Sequence, residues 1–386
     1  MNYRKPLLVI SGLGGICLLF VCFRFAISGE KNSRQHASAI ANQHHIIDSL
    51  CQEEELDTVL TLVLVGDIML GSSYPDIRYA PSETENLLLS VTPFLQLGDL
   101  TFGNLEGVIS DSLQLAPRPS SSPNNNYRFK QPGFTAGMLK NAGFDFLSVA
   151  NNHISDFGEE GRKSTLLHLS NAGIRAAGLV SHPWDTLTVR NVKVAFTAFA
   201  TSRFCLSVKE HEKAREIVHF LDSIADIVVV SFHAGAEGNA HTSVRNTTEY
   251  YLGENRGNVH EFSRVLIDAG ADVIFGHGPH VTRAIDHYKG RFIAYSLGNF
   301  CTYGSISISG KAGIAPIVKL VVKKDGSFLD GEIFSTVQRY RKGPEIDTAN
   351  RALHEIQRLT KEDFPDNGLL FFDPQRFYFD TSPVYP

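Results

Sequence analysis

Asp272-Val-Ile-Phe275-Gly276-His277-Gly278-Pro279-His280-Val281 is the stretch on which the reading of this chain turns. Val273, Ile274 and Phe275 are strand formers with no polar residue among them, as expected of a strand buried on both faces. The run stops at Gly276, and two histidines then flank a Gly-Pro pair. Proline locks φ and glycine has no Cβ, so the pair sets a tight turn and lets the backbone come close to whatever is bound. Imidazoles presented from such a turn, at the end of a buried strand, are well placed to ligate a metal at the edge of a sheet. Taken alone, His277 and His280 are equally two surface histidines in a loop. The rest of the chain decides between these, because five other strand ends carry similar cargo.

Residues 58–65 are a continuous β-branched and leucine run ending in Gly66-Asp67-Ile-Met69. A weaker strand over 99–105 ends in Gly103-Asn104-Leu-Glu106, and one over 144–150 ends in Asn151-Asn152-His153, with Asp156 close behind. Residues 226–232 lead into His233-Ala-Gly235-Ala-Glu237, and residues 291–296 into Leu297-Gly298-Asn299-Phe300. Helical patterns fall between them. They cover 131–141, 159–172, 209–224 and 258–269, with Gly143, Gly173 and Gly270 as stops. In the second of these, Leu166, Leu167 and Leu169 form the expected core-facing stripe, and His168 beside them has a structural role. Hairpins are expected at Arg190-Asn191, Lys289-Gly290 and Asp325-Gly326. Alternating strands and helices with interspersed hairpins predict an α+β sandwich of mixed sheets flanked by helices, rather than a purely doubly wound sheet. The domain is placed at 58–345. Residues 346–386 hold one helix, near 348–360, and a tail rich in Pro and aromatics that packs on the outside.

With 386 residues, 43% hydrophobic and 20% charged, the chain can bury one large or two ordinary domains. A net charge of −5 shows no basic surplus and argues against nucleic acid as a partner. Cys17, Cys22, Cys51, Cys205 and Cys301 form no Cys-x-x-Cys pair, so neither a zinc ribbon nor a disulfide scaffold is indicated. Near the N-terminus, Arg4 and Lys5 precede an apolar run over 6–23 that ends before Arg24. Such a run is at the short end for a membrane span. It also reads as a signal peptide cleaved near Ala26-Ile-Ser28, or, with the bulky Phe20 and Val21 against it, as a lipid-anchor segment ending at Cys22. The reading adopted is an uncleaved anchor over 1–27 and a polar tether over 28–57, a single pass through the cell membrane with the domain extracytoplasmic.

The strand ends together present Asp67, Glu106, Asn152, His153, His233, His277, His280 and Asn299. Two carboxylates, amide oxygens and several imidazoles make a ligand set suited to Mn, Fe or Zn ions. Each has a plainer reading alone: Asp67 as a helix cap, Glu106 as a surface acid, Asn152 as a turn residue. Buried carboxylates cost several kcal/mol unless paired or metal-bound, so their collection at strand ends favours a site.

The motifs Gly-Asp67-Ile-Met69, Asn104-Leu-Glu106, Asn151-Asn152-His153-x-x-Asp156, His233-x-Gly235-x-Glu237, Gly276-His277-x-Pro279-His280 and Gly298-Asn299-Phe300 run in order across roughly residues 60–305. In that order they resemble the motif set of the CapA family of poly-γ-glutamate capsule synthesis proteins, itself similar to calcineurin-like metallophosphoesterases. The resemblance implies a four-layer αββα sandwich with a metal site of one or two divalent ions. Asp67, Glu106, Asn152, His233, His277 and His280 would be its ligands. His153 would be a proton donor or transition-state contact oriented by Asp156, with His280 a second proton handler. Two departures stand out: Met69 occupies the place of the histidine in the Asp-x-His element, and His277-x-x-His280 replaces His-x-His. Long loops over 113–131 and 238–257 carry Arg128, Lys130, Arg245 and Arg256. Cations there suit an anionic ligand such as a phosphate or a polyglutamate carboxylate, the alternative being solvated loops. Arg128, Lys130, Glu237, Arg245 and Asn299 are the expected substrate contacts. The function expected is that of a metal-dependent hydrolase-like protein acting on a phosphoester or γ-glutamyl amide. Its expected partners are an anionic polymer such as poly-γ-glutamate, the membrane and other capsule synthesis proteins. The alternative is a non-catalytic polymer-binding or export subunit of a capsule synthesis complex.

Overall fold

A computed structural model of the protein describes residues 59–112, 116–117, 127–304, 306–373 and 375–379. The anchor and tether expected over 1–57, and part of the loop over 113–131, lie outside the described residues. Among the described residues no helix is long and apolar enough to cross a membrane.

In chain order the strands are β1 (Val59–Met69), β2 (Leu100–Leu105), β3 (Val108–Ile109), β4 (Lys130–Gln131), β5 (Phe146–Ser148), β6 (Arg175–Ala177), β7 (Trp184–Val189), β8 (Val192–Ala200), β9 (Ile227–His233) and β10 (Tyr250–Tyr251). They continue with β11 (Glu254–Asn255), β12 (Val273–His277), β13 (Ile285–Tyr288), β14 (Arg291–Ala294), β15 (Asn299–Thr302), β16 (Ile314–Lys323), β17 (Phe328–Arg339), β18 (Gly343–Ile346), β19 (Leu369–Asp373) and β20 (Arg376–Phe379). The main helices are α1 (Phe134–Ala142), α2 (Gly158–Asn171), α3 (His211–Asp222), α4 (Val259–Asp268) and α5 (Arg351–Asp363).

A ten-stranded sheet runs β19-β20-β17-β16-β1-β2-β5-β6, with β15 also paired to β1 and β18 to β17. A six-stranded sheet runs β13-β14-β12-β9-β8-β7. Each has a parallel centre, β1-β2-β5-β6 in one and β8-β9-β12-β14 in the other. The apolar runs of β1 and β9 are buried along almost their whole length, as parallel strands covered on both faces must be. Phenylalanines join the sheets. Phe102 of β2 stacks on Phe146 of β5 at 5.1 Å and meets Phe196 of β8 at 5.5 Å and Phe275 of β12 at 6.2 Å. On the far side of the six-stranded sheet, Val218, Leu221, Phe262 and Leu266 of α3 and α4 pack with Val228, Val230 and Ile274. Helices α1 and α2 add Leu139 and Leu169 to the core of the other sheet, and α5 packs along β16 and β17. The layers are therefore helix, sheet, sheet, helix.

Where structure and sequence reading differ, local physics accounts for it. The first helix starts at Phe134 rather than 131, because Lys130 and Gln131 are drawn into a pairing with Val108 and Ile109. Leu167 is 59% exposed while Thr165 and Leu169 are buried, since two helical residues differ by about 200° in direction. Asn299–Thr302 is a strand beside β1, not a loop. The tail forms a hairpin whose β20 pairs with β17, burying Phe377, so it extends the sheet edge instead of merely covering it.

Candidate metal centre

The carboxyl ends of the parallel strands of both sheets converge on one point, the edge where sites form in open α/β sheets. Asp67 is set at the end of β1, opposite Asn299 of β15 and Asn104 of β2. Its N–H donates to Gly298 O at 2.8 Å, and Asn104 Nδ2 donates to its Oδ1 at 2.8 Å. This approach requires a glycine at position 66, where a Cβ would lie 2.0 Å from Gly298 O. Glu106 follows β2, its N–H bonded to Ile68 O at 2.9 Å. From the other sheet, His233 and His277 stand in register at the ends of β9 and β12. The turn after His277 uses Gly278 at φ 109 against the backbone of Ala234, then His280 at φ 57. Gly278 thus admits a neighbouring strand end rather than a ligand. With two left-handed residues the longer His-x-x-His spacing still brings both rings to Asp67: His277 Nδ1 is 3.2 Å from Oδ1 and His280 Nδ1 3.1 Å from Oδ2.

Glu106 Oε1 lies 3.7 Å from His233 Nε2, 3.8 Å from His280 Nε2 and 3.9 Å from His153 Nε2. These are too long for hydrogen bonds. They fall within the span of two donors each about 2.1 Å from a shared ion. One ligand atom from each of Asp67, Glu106, His233 and His280 lies within 4.8 Å of all the others. Both Glu106 carboxylate oxygens, Asn152 Oδ1, His233 Nε2 and His277 Nε2 are buried with no hydrogen-bond partner among the described residues. Orphaned buried donors of this kind are too costly to leave empty-handed, so the donor set fits a divalent cation. Met69 is fully buried and offers no nitrogen.

Burial opposes charge here, yet the groups charge one another. It raises Asp67, but hydrogen bonds and charge from His277 and His280 hold that carboxyl well below the usual range. Burial raises Glu106 most strongly of any single cause, yet His280 and His233 together leave that carboxyl lowered. Burial depresses His280, but Glu106 and then Asp67 push it up to about 10. For His277 desolvation wins and the pKa falls, which favours the neutral, ligating imidazole. His153 is raised despite burial, because its Nδ1 lies 2.8 Å from Asp156 Oδ2.

An open cleft of about 420 Å³ leads to the cluster, and Glu106, Asn152, His153, Asp156 and His280 line it. Arg128 and Glu237 line it too, Arg128 Nη1 standing 3.8 Å from Asp156 Oδ1. Three expected substrate contacts are placed elsewhere. Lys130 Nζ donates to Ser112 O at 3.0 Å, and Arg245 is paired with Asp363, neither lining the cleft. Asn299 is buried, with Nδ2 donating to Ala312 O at 3.2 Å and Oδ1 3.0 Å from His280 Nδ1; it sets the ring. Arg256 takes the place foreseen for Arg245. It is 3% exposed, lines the cleft and lies 2.9 Å from Glu237 Oε1. The only sequence signal for it was its place in the second long loop. Arg283 carried no signal at all: fully enclosed, it forks onto both oxygens of Glu249 at 2.8 Å and shapes that loop.

Two facing sheets that deliver carboxylates and imidazoles to one buried point below a cleft define an αββα protein with a candidate metal centre. The profile of the bacterial capsule synthesis protein family PGA_cap matches residues 61–303, and the chain belongs to that family. It is 29% identical over 262 residues to the capsule biosynthesis protein CapA of Bacillus anthracis, covering 62% of this chain and 59% of that one. The PGA biosynthesis protein CapA of Bacillus subtilis (strain 168) is likewise 29% identical over 267 residues, 63% of each chain. The chain thus spans about three fifths of the length of these relatives. Among solved structures it is similar to the NAD nucleotidase of Haemophilus influenzae, with a TM-score of 0.37, 13% identity, and 78% of this chain and 56% of that one covered. It is also similar to a 5′-nucleotidase precursor from Thermus thermophilus, with a TM-score of 0.40, 12% identity, and 79% and 59% covered.

Proposed function

We propose that this protein is a membrane-anchored, extracytoplasmic, metal-dependent hydrolase-like member of a capsule synthesis system, cleaving a phosphoester or γ-glutamyl amide bond of an anionic polymer such as poly-γ-glutamate. Other capsule synthesis proteins are its working partners. The observation that supports this is the convergence of unpartnered, buried donors from both sheets at the floor of an open cleft. Asp67, Glu106, His233, His277 and His280 would hold the ion, with Asn152 beside them. Once bound, a divalent metal supplies Lewis-acid polarisation of the scissile group and acidifies water. Arg128 and Arg256 bind the anion. Asp156 fixes Nδ1 of His153, which leaves Nε2 at the cleft to donate a proton to the leaving group.

Metal analysis of the purified protein, together with a panel of phosphodiester and γ-glutamyl amide substrates, tests the reading. His153→Ala should keep most of the metal yet lose about 10²–10⁴-fold in turnover, the usual worth of a positioned acid. Full capsule function in that variant would remove catalysis from the account.

A further inference from the structure

A second cavity, of about 500 Å³, adjoins the metal cleft, and the two share Asn152 and Glu254 as lining. Ser155, Ser202, Arg203, Lys209 and Asn255 form most of the rest. Most arginines of the described chain have an acid beside them, as Arg264 has Asp286 and Arg358 has Glu355 and Glu362. Arg203 and Lys209 have no ion-pair partner among the described residues. Nor has Arg162, which donates to Ser155 Oγ of the cavity wall at 3.1 Å. Arg162 and Arg203 also share one aromatic ring, standing 4.1 Å and 4.9 Å from the centroid of Phe204.

Phe204 itself is unusual. Its φ of 74 lies in the left-handed region that bulky residues avoid, and it is 39% exposed, so it adds little to the core. The loop is pinned around it: Val180 N–H donates to Phe204 O and Leu206 N–H to Gly178 O, both at 2.9 Å. Strain held in place by its surroundings collects at binding sites. Here it fixes one ring against two guanidiniums, so two like charges are gathered beside the cavity.

We infer that this cavity is a second subsite for a linear polyanion whose reacting bond lies in the metal cleft. Arg203 and Lys209 hold the next carboxylate or phosphate along the chain, with the charge of Arg162 behind the wall at Ser155. The inference rests on the polymer-hydrolase reading for which bond is cut, but the subsite is measurable without turnover. Glu254 is the one acid in the shared lining, with a side chain 75% exposed and 3.9 Å from Arg256 Nη1, and it opposes the same polymer.

The test is equilibrium binding by the full chain of γ-linked oligoglutamates of two and about ten residues, with polyphosphates of matched length as the second arm and salt as a variable. Affinity of the wild type should rise with length. Arg203→Gln with Lys209→Gln should keep the metal content and the affinity for the shortest anion, yet lose about tenfold on the long one with a shallower salt dependence. Arg203→Lys should retain most of the affinity, and Glu254→Gln should increase it. Whichever arm shows the length effect names the anion. Wild-type affinity that ignores length in both arms, or a double variant that matches wild type on long chains, overturns the subsite. Failure of the hydrolase reading shows separately, as absent turnover with the length effect intact.

Discussion

His280 answers to two groups at once: Asn299 Oδ1 and Asp67 Oδ2 lie 3.0 and 3.1 Å from its Nδ1. Without metal, the carboxylates of Glu106 and Asp67 outweigh burial and raise its pKa to about 10. A raised pKa stabilises the fold fully below the unfolded value near 6.5, and that contribution fades as pH climbs towards about 10. A ligating imidazole must be neutral, so metal uptake near pH 8 should release about one proton. Titration calorimetry in two buffers of different ionisation heat measures it; no release would take His280 out of the shell. His277 is enclosed, its Nδ1 lies 3.2 Å from Asp67 Oδ1 and its Nε2 has no hydrogen-bond partner among the described residues. His277→Ala should therefore strip the metal, read by elemental analysis, and should also lower the metal-free melting temperature, since it empties an enclosed site and takes a partner from Asp67. Asp156→Asn should show a milder form of the His153→Ala defect in turnover. Asp156 also accepts from Phe129 N–H at 2.9 Å, a bond the amide oxygen can keep.

At the scale of elements, β1 carries the most consequence per residue. Gly66→Ala places a methyl group 2.0 Å from Gly298 O, so β1 and β15 must part and Asp67 must move with them. Overpacking of this kind costs about 1–3 kcal/mol. Chemical denaturation should report that loss, with metal affinity falling beside it; an unchanged affinity would mean Asp67 is not a ligand. Phe102→Ala opens the seam between the sheets and should cost about 3–5 kcal/mol. These same elements mark what could be read in advance. β1, β9 and β12 were legible because apolar runs stopping at Gly66, His233 and Gly276 announce strands and their ends. Arg190-Asn191 was legible as a turn, and both residues do adopt positive φ, at 46 and 58. β15 was not, because Asn299–Thr302 becomes a strand only by lying next to Asp67, far away in sequence. Arg283 escaped for the same reason, and Arg256 was legible only as one loop cation among several, since no local pattern encodes the contacts that place them.

For the whole molecule, the proposed anchor makes a simple separation. A chain beginning near residue 50 should be soluble and should bind metal, while the full chain should sediment with membranes. Full-length protein recovered only in the soluble fraction would sink the anchor. The two-sheet origin of the ligands has a mechanical corollary. Asp67 and Glu106 belong to one sheet, His233 and His277 to the other. An ion held by Asp67, Glu106, His233 and His280 would be a rivet through the seam, so that prying the sheets apart would break coordination as well as slide phenylalanines. At a metal concentration a hundredfold above the dissociation constant, that rivet adds about 2.7 kcal/mol to the folded state. In single-molecule pulling the loaded protein should therefore rupture at higher force than the chelated one.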